Sequence, residues 1–152
     1  MYKHILVPVD GSDTSNLALD EAIRLAKDLR SELRIVHVVD VVAAYAMTEA
    51  ALPLVEFERM SSEWGAKLLA TCADKARTAG VAFETKCLVI DTLGNRVHDR
   101  IDEEAKSWPA DLIIIGTHGR RGVNRLLLGS VAEGVMRIAT APVLSIRGHS
   151  VA

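Results

Sequence analysis

Apolar residues recur along the chain in five short runs: Ile5 to Val9, Leu33 to Val39, Ala82 to Ile90, Leu112 to Ile115 and Val143 to Ile146. Each reads as a strand, and Asp111 to Ile115 is a continuous β-branched and leucine run of the kind buried on both faces. Amphipathic stretches separate all of them. The first opens in Asp10-Gly11-Ser12-Asp13, rich in capping side chains, and carries Leu17, Ala18, Ala22, Leu25, Ala26 and Leu29 at helical spacing. A second helix is predicted from near Leu54 to Ala79, with Phe57, Met60, Trp64, Leu68, Cys72 and Ala76 on one stripe and Gly80 as its stop. A third covers about Leu93 to Lys106 through Val97, Ile101 and Ala105, and a fourth about Val131 to Ala139, beginning at Ser130.

Strand and helix in strict alternation predict a doubly wound α/β domain, a five-stranded parallel sheet with helices on both faces, over residues 1–147. Crossovers in such a sheet are right-handed, and ligands gather at the carboxyl ends of strands where the winding reverses. If the strand order is 3-2-1-4-5, Asp10 and Gly116 face one crevice. The segment from Val41 to Pro53 is unusually apolar for a connection, and reads either as a lid or contact surface or as an early extra turn of helix. Gly148 to Ala152 form an expected flexible tail.

Composition narrows the partners. The chain of 152 residues has 18 basic and 20 acidic side chains, so no general field draws it to nucleic acid or anionic lipid. No apolar run approaches the roughly 20 residues of a membrane span, and a cytoplasmic protein is expected. Cys72 and Cys87 belong to no CxxC pair and read as reduced core thiols.

Candidate chemistry concentrates in Gly116-Thr117-His118-Gly119, followed after nine residues by Gly129-Ser130. A glycine-rich loop between a buried strand and a helix start is a place to hold phosphate: glycines admit close backbone approach or positive φ, and the helix end adds partial positive charge. Ser130-Val131-Ala132-Glu133 also reads as a capping box, which would occupy Ser130 structurally, and Asp10 reads either as a helix cap or as a ligand group. Arg120, Arg121 and Arg125 are available to phosphate. His118 is expected to stabilise its loop and His37 to be packed. Gly134, inside the last helix, suggests close packing. There is no Gly-Lys-Ser/Thr and no acidic pair after the first strand, which excludes a P-loop NTPase and a phospho-receiver domain.

These residues resemble the universal stress protein family, in its nucleotide-binding branch, over nearly the whole chain. The resemblance rests on Ile5-Leu6-Val7-Pro8-Val9-Asp10-Gly11-Ser12, His37-Val38-Val39, Ala110 to Gly119 with its G-x2-G-x9-G-S spacing, Leu128 to Glu133 and Ala141-Pro142-Val143-Leu144. It implies ATP binding with Mg2+: Gly119, Gly129, Ser130 and Val131 around the phosphates, Gly116 and Ile115 near the ribose, and Val38 offering backbone groups to adenine. Asp10 would lie by the ribose or a phosphate-bound metal, and Pro8 and Arg120 complete the nucleotide-binding set. The resemblance also implies a homodimer through the last strand, Pro142 to Arg147, which an apolar edge strand favours independently. Its implied role is a stress-response regulator using nucleotide as a signal. Slow ATP hydrolysis or phosphoryl transfer, and a nucleotide-independent interaction protein, are the alternatives.

Overall fold

The computed structural model describes residues 1–47, 53–118 and 128–148, with the side chain of Met47 left aside. In chain order the elements are β1 His4–Pro8, α1 Asp13–Leu29, β2 Glu32–Asp40, α2 Val41–Met47, α3 Leu54–Ala79, β3 Ala82–Ile90, α4 Val97–Ser107, β4 Leu112–Gly116, α5 Ser130–Ile138 and β5 Val143–Ile146. The strands form one parallel sheet in the order β3-β2-β1-β4-β5.

Period-two alternation along each strand sorts the aliphatic side chains onto two faces. Ile5, Val7, Leu33, Ile35, Leu112 and Ile114 pack with Ala18, Leu19 and Ala22 of α1 and Leu69, Cys72 and Ala76 of α3. Their neighbours Leu6, Val36, Leu88, Ile113 and Ile115 pack with Ile101 and Ala105 of α4 and Ala132 and Val135 of α5. On this second face Glu104 is buried and accepts hydrogen bonds from Arg34 (2.6 Å) and Lys86 (2.7 Å), while Arg34 stacks 4.6 Å from the Trp108 ring. Burial alone would raise the Glu104 pKa, but the two cations outweigh it and hold the carboxyl below its ordinary range.

Three local expectations need correction, and one open pair is decided. α4 starts at Val97 rather than near Leu93: Gly94 has φ 99°, Leu93 is exposed, and the Asp99 carboxylate accepts the Arg96 amide (3.1 Å) to define the start. α3 buries Gly65, Leu69, Cys72, Ala73 and Ala76, whereas Met60 and Trp64 on the expected stripe are 50% and 38% exposed. A helix of 26 residues is about 39 Å long and outruns a nine-residue strand of about 30 Å, so its first turns lie beyond the core. Cys87 is exposed on β3 instead of packed in the core; Cys72 is buried. Burial raises the pKa of the Cys72 thiol, and partial desolvation that of Cys87, whose sulfur lies against Gly65 although the residue is exposed. The apolar segment after β2 begins as helix, α2, the second of its two readings; residues 48–52 lie outside the described residues, as do Gly119 to Leu127 and the tail from His149.

Candidate functional site

β1 and β4 are adjacent, and their crossovers leave in opposite senses, so a crevice opens at their carboxyl ends. It holds a cavity of about 520 Å³, within the range of small-molecule sites. Pro8, Asp10, Val38, Ile115, Gly116, Gly129, Ser130 and Val131 all line it. Gly119 and Arg120, with Arg121 and Arg125, lie outside the described residues.

Of the helix starts that border this crevice, those of α1 and α5 differ. At α1 the protein satisfies its own groups. Gly11 takes φ 80°, Ser12 caps the helix by accepting the Ser15 amide (3.3 Å), Asp10 Oδ1 accepts the Ser12 amide (2.9 Å), and the Asp10 amide donates to the Ser15 hydroxyl (3.0 Å). The hydroxyls of Ser12 (3.3 Å) and Thr14 then both donate to the His118 carbonyl. Asp10 is therefore neither the helix cap nor idle: it braces the turn with one carboxylate oxygen. Gly116 also has a different reason from the one expected. Its φ is not positive, and a Cβ there would stand 2.7 Å from the Thr14 carbonyl carbon and oxygen, so the backbone of α1 by itself requires glycine.

At α5 the helix end is open. Gly129 is the N-cap residue, in extended conformation (φ −62°, ψ 148°), with no side-chain cap. Ser130 is thus the first helical residue and the capping-box reading fails by one position; Glu133 instead pairs with Arg137 (2.7 Å). The Gly129 amide donates to the Thr117 carbonyl (2.6 Å) and its carbonyl accepts from Glu133 (2.9 Å). The amides of Ser130, Val131 and Ala132 have no partner within the helix, and all three residues line the cavity. Such a first turn is suited to an anion. α5 is set against α4 by Gly134, where a Cβ would lie 2.4 Å from His98 Cγ.

Apolar side chains also line the cavity: Val38 of β2, Ala43 and Ala44 of α2, and Val97 and Ile101 of α4. The pattern reading left α2 out of the site, although Asp40 before an apolar run is a cap signal; its Oδ1 accepts the Ala43 amide (2.9 Å). Val97 and Ile101 belong to the expected helix stripe, and no local pattern says which part of a stripe faces a cavity. His37 is buried, with Nδ1 2.7 Å from the Val9 carbonyl oxygen and its ring edge-on to Trp64 at 5.2 Å, as a packed residue should be. His118 Nδ1 lies 2.9 Å from the Thr117 hydroxyl. Among the described residues no group of His, Cys, Asp and Glu could hold a metal by itself, and no helix is long and apolar enough to cross a membrane.

Comparison with known proteins matches residues 1–147 to the family model described as the universal stress protein family. The chain is 36% identical to a universal stress protein of Methanocaldococcus jannaschii, covering 97% of this chain and 83% of the relative. It is 35% identical to one of Bacillus subtilis, covering 97% and 100%. A universal stress protein family structure from Burkholderia pseudomallei superposes with a TM-score of 0.78 at 31% identity over 97% of both chains. The universal stress protein from Archaeoglobus fulgidus in complex with dAMP gives 0.67 at 25% identity, covering 96% and 98%. Another universal stress protein, in complex with cAMP, gives 0.65 at 27%, covering 95% and 96%.

Proposed function

This chain belongs to the universal stress protein family, and within it we propose a cytosolic, homodimeric regulator whose ligand is an adenine nucleotide, ATP with Mg2+ in the fullest form of the reading. The observation that carries it is that one crevice combines small apolar side chains with the first turn of α5, which has no side-chain cap and whose amides have no partner within the helix. Adenine lies against Val38 and the alanines of α2, the ribose by Ile115 and Gly116, and the phosphates over Gly129, Ser130 and Val131. Relatives of this chain solved with dAMP and cAMP support an adenylate as the shared ligand class. Asp10 uses Oδ1 on the Ser12 amide, and its other oxygen is the group that would hold a ribose hydroxyl or a phosphate-bound Mg2+. Gly119 and Arg120 enter this set on the family resemblance and lie outside the described residues.

Dimerisation through β5 is part of the same reading. Both β3 and β5 are sheet edges. β3 carries Glu84 and Lys86, the kind of charged edge that resists strand addition, whereas Val143-Leu144-Ser145-Ile146 has no charge and borders an apolar hollow of about 480 Å³ formed with Met1, Tyr2, Leu25 and Leu29.

Thermal unfolding with and without AMP, cAMP and Mg-ATP tests the proposal, using wild type and Gly129→Val, whose backbone conformation suits valine. A ligand at 100 times its dissociation constant stabilises the native state by about 2.7 kcal/mol. A wild-type response that Gly129→Val lacks is expected; no response to any nucleotide sinks the reading.

A further inference from the structure

We infer that Thr14 is a positioning residue for the nucleotide crevice, acting through a hydroxyl that straps the two helix N-termini together. The inference rests on the functional reading above, and its structural half stands on geometry alone. Two successive carbonyls after β4 are claimed from opposite sides. The Thr117 carbonyl accepts the amide of Gly129, the N-cap residue of α5, at 2.6 Å. The His118 carbonyl accepts the Thr14 hydroxyl and, at 3.3 Å, the Ser12 hydroxyl, both from the start of α1. Gly116 is pressed on the Thr14 backbone and the Thr117 amide donates to the Ile146 carbonyl (2.9 Å), so this stretch is fixed at its base while the hydroxyls orient its far end.

Thr14 is 9% exposed and does not line the cavity, yet it fixes the peptide planes from which the first turn of α5 hangs. Ser12 cannot be tested cleanly, because it also caps α1. Thr14 can, since valine keeps its shape and removes the hydroxyl, while serine keeps the hydroxyl and removes the methyl. A lost hydrogen bond to a part-buried carbonyl corresponds to about a tenfold change in an equilibrium constant.

The experiment measures AMP affinity by calorimetry for wild type, Thr14→Val and Thr14→Ser, with hydrogen exchange at the Gly129 amide in unliganded protein. Thr14→Val should bind AMP about tenfold more weakly and exchange Gly129 faster, and Thr14→Ser should match wild type in both. Should Thr14→Val fail to fold, Thr14→Ala takes its place with the same expectation. Equal losses in the valine and serine variants, or wild-type affinity in Thr14→Val, overturn the positioning role. If wild type binds no AMP, the functional reading falls by itself, and unchanged Gly129 exchange in Thr14→Val then overturns the strap as well.

Discussion

Replacing Gly134 by alanine should destabilise the protein, against the ordinary rule. In a helix interior alanine is favoured over glycine by about 1 kcal/mol. Here the new Cβ would stand 2.4 Å from His98 Cγ and Nδ1 and 2.9 Å from His98 Cβ. Optimal carbon contacts lie near 3.5–4.0 Å. Rotating the imidazole does not clear the His98 Cβ, which the α4 backbone fixes, so α5 has to move away from α4. Overpacking of this kind costs about 1–3 kcal/mol; after the propensity gain, a net loss of about 1 kcal/mol remains, or about 2–4 °C in midpoint for a chain of this size. Thermal and urea unfolding of wild type, Gly134→Ala, His98→Ala and the double variant form the assay. In the His98→Ala background the alanine should stabilise, giving a coupling of about 2 kcal/mol between the two sites. A Gly134→Ala protein that is more stable than wild type in the presence of His98 would refute the argument. Because α5 carries Ser130 and Val131 in its first turn, the same variant should also weaken nucleotide binding.

Glu104→Gln should cost about 3 kcal/mol, the lower end of the range for one partner of a buried ion pair, because Lys86 remains half in water; urea unfolding checks it. The folded pKa of Glu104 is depressed, so its contribution is complete above the ordinary carboxylate range and is lost as pH falls through the folded value. Wild-type stability should therefore drop more steeply than that of Glu104→Gln below about pH 4.5, and parallel curves would contradict the pairing. Gly116→Ala should cost about 3 kcal/mol, since the atoms a Cβ would meet, in Thr14 and Ser15, are all backbone, and denaturation that matches wild type would refute that account. Leu144→Lys, on the uncharged edge, should shift sedimentation from dimer to monomer while leaving the unfolding of the subunit cooperative; a dimer that survives it points to another interface.

The sheet was legible because apolar strand runs alternate with periodic helices, while the strand order was only the condition under which Asp10 and Gly116 would share a crevice, and the structure has that order. What sequence left hidden were matters of a single position or of distant packing. The same Ser-x-x-Glu letters describe a capping box or, one residue later, an open helix start, and only the φ and ψ of Gly129 decide. Gly116 is glycine because of Thr14, about a hundred residues away in sequence, a contact no local rule contains. The exposed stripe of α3 around Met60 and Trp64 has the letters of a core, and its exposure depends on the sheet ending beneath it. Ala43 and Ala44 looked like part of a lid or an extra helical turn, and are a cavity wall only because β2 delivers α2 to the crevice.

The central claim, that the crevice between β1 and β4 is an adenine-nucleotide site, is tested most directly by titrating AMP into the isotope-labelled protein and following backbone amide resonances. The account expects saturable shifts at Asp10, Val38, Gly116 and Gly129 to Ala132, with the edge strand β3 near Glu84 unmoved. Absence of saturable shifts at millimolar AMP, or shifts confined to residues outside the crevice, would contradict it.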